Sequence, residues 1–294
     1  MTRHPTRLYK YRRFDTNSLR ALCEEHVYYA NPGNFNDPLD CQPVITMDIG
    51  EVELEELWLH LYSAEFRDRR AVARREELRT IFDENGHPTA DKLPRRELVK
   101  KLLVDLDWLL ARRLKAWGVL SLSARWNSPL MWSHYADQHR GFCVEYDMST
   151  SYCPIVESVD YSGDRRVRAS DLYNWIIRGS TASCKAVFEA YFFAKASDWK
   201  YEKEWRVLRK EEGLGGAPFE MSAIYFGVRC ESSIRLSIAH MLVGRPLKYY
   251  GVDFYSNSSR LRRKRLDVRQ MFDDGERAIT RDFQDLVLLE TAYP

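Results

Sequence analysis

The chain contains no Cys-x-x-Cys, no His-x-x-x-His, no Gly-x-Gly-x-x-Gly and no Gly-Lys-Ser/Thr. The first two absences argue against paired thiol or imidazole metal sites, and no metal is expected. The last two argue against a dinucleotide-fold turn or a P-loop as the phosphate cradle. His134 and His139 stand five residues apart, so on a helix they face different sides. No apolar run is long enough to cross a bilayer, so no membrane partner is expected. Residues 1–7, Met-Thr-Arg-His-Pro-Thr-Arg, lead into no apolar segment, which reads as no signal peptide. The formal net charge of +2 over 294 residues gives no global attraction to nucleic acid or lipid. No internal repeat or low-complexity segment breaks the chain. The six cysteines are scattered beside apolar residues, as expected of reduced thiols in a cytoplasmic protein.

What is present is aromatic and apolar. Hydrophobic residues make up 45% of the chain and aromatic residues 13%, enough for a sizeable core that includes β-structure. Strand-like runs occur at residues 8–12, 27–30, 117–123, 142–146 and 223–228, and 246–254 with 264–268 suggests a terminal hairpin. Residues 51–82 and 94–115 carry helical spacing, as in Leu54, Leu57, Trp58 and Leu61, interrupted by Asn85-Gly86-His87-Pro88. Asp15 or Asn17 can cap a first short helix, and Ser128 with Pro129 a later one. Residues 183–195 and 231–242 read as further helices. Strands and helices mix without strict alternation, which favours an α+β fold with a mixed or antiparallel β core over a doubly wound sheet. One domain is expected over 1–294, with a helical insertion at 51–115 and a variable C-terminal extension at 257–294.

The stretch Trp199-Lys200-Tyr201-Glu202-Lys203-Glu204-Trp205-Arg206 reads as a strand that puts Glu202, Glu204 and Arg206 on one face. Two carboxylates side by side repel each other, and a site for a cationic or sugar-like ligand gives them a purpose. The alternatives are edge charges that block aggregation and a structural ion pair with Arg206. His134 is a candidate acid or base, set against a satisfied, partly buried histidine. Asn36 and Asp37 lie in the turn Phe35-Asn36-Asp37-Pro38, where Asx side chains commonly bond their own backbone. The run Arg260, Arg262, Arg263, Lys264, Arg265 suits phosphate contacts or a solvated hairpin edge.

Four motifs in order resemble a widespread bacterial family of uncharacterised proteins: Tyr9-Lys10-Tyr11, Phe35 to Pro38 followed by Asp40, Met131 to Asp137 followed by Gly141-Phe142, and Lys195, Trp199, Tyr201, Glu202, Glu204, Arg206. A second pattern resembles ADP-ribosyltransferases of the Arg–Ser–Glu type: Arg12, then Ser121-Leu122-Ser123, then Glu202-Lys203-Glu204. That resemblance implies an ADP-ribosyltransferase-like core that uses NAD as substrate. A carboxylate near the ribose would stabilise an oxocarbenium-like species, with Ser near the nicotinamide and Arg on pyrophosphate. Glu204, Glu202 and His134 become candidate catalytic groups. Tyr9, Arg12, Ser121, Ser123, Trp132, Tyr135, Tyr201 and Arg206 become candidate NAD-binding groups.

Three functions follow as expectations. The first is an NAD-using transferase modifying nucleic acid or protein, in the manner of a toxin or phage-defence effector, a context implied only by the resemblance. The second is a nucleic-acid-acting hydrolase using Asp37, His134 and Glu204. The third is a non-catalytic binding module with an aromatic pocket from Tyr9, Trp132 and Tyr201.

Overall fold

The structure is a computed structural model that describes residues 5–66, 68–82, 88–92, 94–149 and 156–273. In chain order, β1 (Arg7–Arg12), α1 (Thr16–Cys23), β2 (His26–Tyr29) and β3 (Val44–Thr46) precede a helical segment. That segment holds α2 (Glu51–Glu65), α3 (Asp68–Arg79), β4 (Thr80–Phe82), β5 (Pro88–Lys92) and α4 (Arg95–Leu114). Next come β6 (Gly118–Ser123), α5 (Pro129–Tyr135), β7 (Phe142–Asp147), β8 (Val156–Ser158), β9 (Arg166–Arg168), α6 (Ala169–Ile176) and α7 (Thr181–Phe192). A 3-10 turn (Ser197–Glu202) leads to β10 (Glu204–Arg209), β11 (Gly213–Gly216), β12 (Glu220–Phe226), α8 (Ser232–Met241), β13 (Lys248–Phe254) and β14 (Leu261–Arg265).

The fold is α+β, built on an eight-stranded sheet of order β14-β13-β12-β7-β1-β6-β10-β8. Every pairing in it is antiparallel except β12 with β13. Because side chains alternate along a strand, each strand serves two layers. Leu8, Leu120, Leu122, Phe142, Val144, Val207, Ile224 and Phe226 face one side and pack with Leu22 of α1 and Ile238 and Ala239 of α8. Tyr9, Tyr11, Cys143, Ala223 and Tyr225 face the other and pack with Met131 and Trp132 of α5.

The helical segment closes the second face at its far end. Leu98, Leu102, Leu106 and Leu109 recur at helical spacing on α4, and with Leu54, Leu57 and Trp58 of α2 they join Val119 of β6 and Leu208 of β10 in one core. Helices α6 and α7 join the same core through Leu172, Val187 and Phe192. Local chemistry sets the helix starts. The Asp15 carboxylate accepts from the Ser18 amide at 2.8 Å and caps α1. The Ser128 hydroxyl accepts from the Met131 amide at 3.4 Å, and Pro129 opens α5.

Residues 199–206 do not form one strand. Residues 197–202 wind as a 3-10 turn, Lys203 takes a left-handed conformation with φ 47°, and β10 begins only at Glu204. The left-handed residue breaks the extended chain between the two glutamates, so a two-residue strand period does not relate Glu202 to Glu204.

Strands β1 and β6 part after a single paired position, Tyr9 opposite Ser123. Further along β6 the partner is Ala30, which exchanges two 2.9 Å backbone bonds with Val119. The Ser121 carbonyl lies between these two points, and the Lys10 ammonium donates to it at 2.8 Å. The sheet therefore opens into a cleft at β1 and β6, with a lysine spanning the gap.

Candidate functional site

The cleft has a volume of about 910 Å³, within the roughly 300–1,000 Å³ common for small-molecule sites. Its walls come from the β1–α1 region, the Asn34–Asn36 turn, β6, α5 and the start of β10. Its walls carry the cations Lys10, Arg12, Arg13 and Arg20 and the carboxylates Asp40, Glu202 and Glu204.

The carboxylates belong to a buried charge network. Asp40, Glu202, Glu204, Lys195 and Arg206 are all buried, Arg206 completely. Arg206 grips Asp40 in a two-point fork, Nη1 to Oδ1 at 2.9 Å and Nη2 to Oδ2 at 2.6 Å. It also donates to both oxygens of Glu204, at 2.8 and 3.0 Å, and to the Phe192 carbonyl at 2.6 Å. Lys195 donates to Glu202 at 2.7 Å and to Glu204 at 3.1 Å, and lies 3.4 Å from Asp40. Its ammonium sits 5.0 Å above the Trp199 ring.

The Ser-x-Ser and Glu-x-Glu segments meet in register. Glu204 lies opposite Ser123 and Arg206 opposite Ser121 across the β6–β10 ladder. The Ser121 side chain bonds Glu204, and the Ser123 hydroxyl donates to the Glu202 carbonyl at 2.6 Å. The latter bond holds the turn that carries Glu202. Tyr161 hydroxyl accepts from the Glu204 amide at 2.8 Å.

Helix α5 supplies the lip. The Tyr135 hydroxyl donates to Glu202 at 2.6 Å, and the Asn36 amide reaches that hydroxyl at 3.4 Å. His134 is exposed and lines the cleft beside Tyr135. After α5, Asp137, Gln138 and His139 hold three successive positive φ values, 47°, 53° and 71°. This left-handed turn is costly for non-glycine residues. It ends at Gly141, where a Cβ would stand 2.1 Å from the Arg12 carbonyl. Gly141 thus allows α5 to dock against the end of β1.

Burial tunes the titratable groups. Burial alone would raise the Glu204 carboxyl, but Arg206 and Lys195 outweigh it and hold the group at about 2. Burial raises Glu202 above the usual range, against the pull of Lys195 and with added repulsion from Glu204. Desolvation lowers Lys10 to about 8, and Arg12 pushes it the same way, while Glu204 and Glu202 pull it back.

The structure brings Tyr9, Arg12, Ser121, Ser123, Tyr135, Glu202, Glu204, Arg206, His134 and Asn36 to the walls of one cleft. Arg12 reaches it from the opposite face of β1 to Tyr9, bonds Tyr146, and keeps a buried Nε with no hydrogen-bond partner among the described residues. Trp132 sits behind the wall: it is fully buried, donates to the Trp126 carbonyl at 2.7 Å and packs edge-on to Tyr11. Tyr201 stands beside Trp199 and His134 and does not line the cleft. Tyr9, Trp132 and Tyr201 therefore do not form one aromatic pocket. Asp37 accepts from the Leu39 amide at 2.9 Å, a turn cap, and lies outside the cleft lining.

Sequence reasoning left out four participants: Lys10, Asp40, Lys195 and Tyr161. Lys10, Asp40 and Lys195 all fall inside the family-like motifs, but the pairing of Asp40 with Lys195 spans about half of the chain and has no local signature. A further buried carboxylate, Glu145, accepts from the Arg7 guanidinium at 2.8 Å and from the Tyr9 and Tyr225 hydroxyls at 3.1 and 2.6 Å.

Residues 131–207 match the profile of a family described as "Protein of unknown function (DUF2971)". The matched span holds α5, its left-handed turn, Lys195 and the Glu-x-Glu segment. No curated protein and no solved structure matches the chain. No described helix is long and apolar enough to cross a membrane.

Proposed function

We propose that the cleft binds NAD and transfers its ADP-ribosyl group to an acceptor. The reading rests on one arrangement: a split in the sheet whose walls carry Glu202, Glu204 and Ser121 together with Lys10, which bridges to the Ser121 carbonyl, and an Arg12 Nε with no hydrogen-bond partner among the described residues. A buried guanidinium donor without a partner is a place for an anion, and a pyrophosphate fits that need. The order Arg12, Ser121-Leu122-Ser123, Glu202-Lys203-Glu204 supports the same assignment by its resemblance to the Arg–Ser–Glu transferases.

In this reading the bond between nicotinamide and the ribose C1′ breaks, and nicotinamide leaves with the bonding pair. The acceptor's oxygen or nitrogen bonds C1′, and its proton passes to solvent. The developing positive charge on the ribose lies beside buried carboxylates, where electrostatic stabilisation is stronger than in bulk water. Lys195 and Arg206 fix Glu202 and Glu204 in place, so little reorganisation accompanies the reaction. His134, exposed at the lip, would accept that proton from the acceptor and hand it on to solvent.

The test is incubation of the protein with NAD and bacterial extract, the label being carried on nicotinamide in one arm and on adenine in the other. Release of free nicotinamide with adenine label on a macromolecule supports transfer. Binding of NAD without release favours the second reading, a nucleotide-binding module. That alternative draws on the saturation of both Glu204 oxygens by Arg206 and Lys195. The absence of both binding and release contradicts both readings.

A further inference from the structure

The β13–β14 hairpin ends the described sheet, and β14 is its outermost strand. Arg260, Arg262, Arg263, Lys264 and Arg265 on and beside β14 are all exposed. These five cations contrast with the +2 of the whole chain, so the charge is local. Arg262 is matched by Asp253 at 3.0 Å. Arg260, Lys264 and Arg265 have no acidic partner among the described residues.

Rings accompany the cations. Arg263 lies over Tyr250 at 4.6 Å, with Tyr225 and Trp126 at 5.5 and 5.6 Å. Tyr255 and Phe254, at the turn of the hairpin, are 52% and 38% exposed. The rings continue inward on one sheet face: Tyr250 stacks on Tyr225 at 4.9 Å, and Tyr225 meets Tyr9 edge-on at 5.9 Å. Tyr9 lines the cleft. Arg263 and Arg265, opposite Val252 and Tyr250, share this face, while Arg262 and Lys264 take the other side of the same edge strand.

We infer that this hairpin is a docking surface for single-stranded nucleic acid, which it presents to the cleft as the acceptor. Four of the five cations are arginines, whose planar forks match pairs of phosphate oxygens. Exposed rings beside a line of cations offer stacking to bases, as on other single-strand surfaces. A lipid headgroup has no ring to stack, and the strip presents no helix to a duplex groove. The acceptor role rests on the NAD-using reading; the binding does not.

The test is fluorescence anisotropy of the full chain with labelled single strands of about 20 nucleotides, DNA and RNA, in rising salt. With three to four phosphates contacted, affinity falls about 20- to 50-fold between about 50 and 200 mM salt. The double variant Lys264→Gln, Arg265→Gln lowers the slope of log K against log salt by about 1.4 and weakens binding about tenfold or more. An unchanged melting curve checks its fold, and the wild-type salt slope stands as evidence should the variant misfold. Nicotinamide release is followed in parallel. Release without strand binding at the lowest salt overturns the inference and leaves the NAD reading intact. Strand binding without release supports the surface and counts against the NAD reading. A variant that binds like wild type, or binding only to phosphatidylserine vesicles, overturns the inference.

Discussion

Tyr135 and Glu202, sixty-seven residues apart, are joined by a 2.6 Å hydrogen bond. It ties the α5 motif to the acidic pair, and both lie within residues 131–207. The bond favours the ionised carboxylate, so its loss leaves Glu202 harder to ionise. Tyr135→Phe is expected to move the acid limb of the pH–activity profile upward and to weaken NAD binding. Calorimetric titration beside a thermal melt separates the two effects. A large fall in melting temperature with unchanged NAD binding would mark Tyr135 as scaffold.

The two glutamates give opposite pH signatures. Glu204, held at about 2 against its ordinary 4.5, binds fewer protons folded than unfolded in that range. Its stabilisation is complete above pH 4.5 and is lost as pH falls toward 2. Glu202, raised above 4.5, binds more protons when folded, so stability declines as pH climbs from 4.5 through its native value. Urea midpoints measured from acid to neutral pH should therefore rise first and then flatten or dip. In Glu202→Gln the later decline should vanish.

Lys10 is expected to set the alkaline limit of ligand binding. Its ammonium titrates near 8, so affinity for NAD should fall as pH rises through that value. Lys10→Met should remove the dependence and bind weakly throughout. The stability sign is opposite: between about 8 and the ordinary 10.5 the unfolded chain holds more protons, so folding gains with rising pH. Isothermal titration and urea melts across this window check both.

Breaking the Arg206 fork should be severe. Arg206→Met leaves Asp40 and Glu204 buried without their main partner, at a cost of about 3–5 kcal/mol. The double change Arg206→Met with Asp40→Leu should recover part of that loss, because two apolar groups replace a pair that both needed dehydration. Denaturant midpoints for the two variants measure the difference. Equal midpoints would show that Asp40 and Arg206 do not act as a unit.

Much of this fold is written in local pattern. The strands at 8–12, 119–123, 142–146 and 223–228 carry apolar side chains in runs or alternation, and all lie in the central sheet. Trp199 to Glu202 reads as strand because its aromatic residues have strand propensity. The left-handed Lys203, with no glycine or asparagine to signal it, makes the turn instead. Trp132 sits in a polar-aromatic motif that suggests a pocket wall, yet its indole is spent on the Trp126 carbonyl. Lys10 became visible only with the parting of β1 from β6. That event depends on Ala30 taking the place of β1 at Val119, a contact between segments with no sequence link. The partnership of Asp40 with Arg206 spans 166 residues and is likewise a product of topology.

The most direct measurement of the central claim is nicotinamide release by Glu204→Gln beside wild type at neutral pH, with circular dichroism on both. The side chain keeps its shape and loses its charge. Wild-type release, with loss of release in a variant whose spectrum is unchanged and whose melt is lowered but still cooperative, is the expected result. A folded variant that releases nicotinamide as fast as wild type contradicts a catalytic role for Glu204 and leaves it as the structural partner of Arg206.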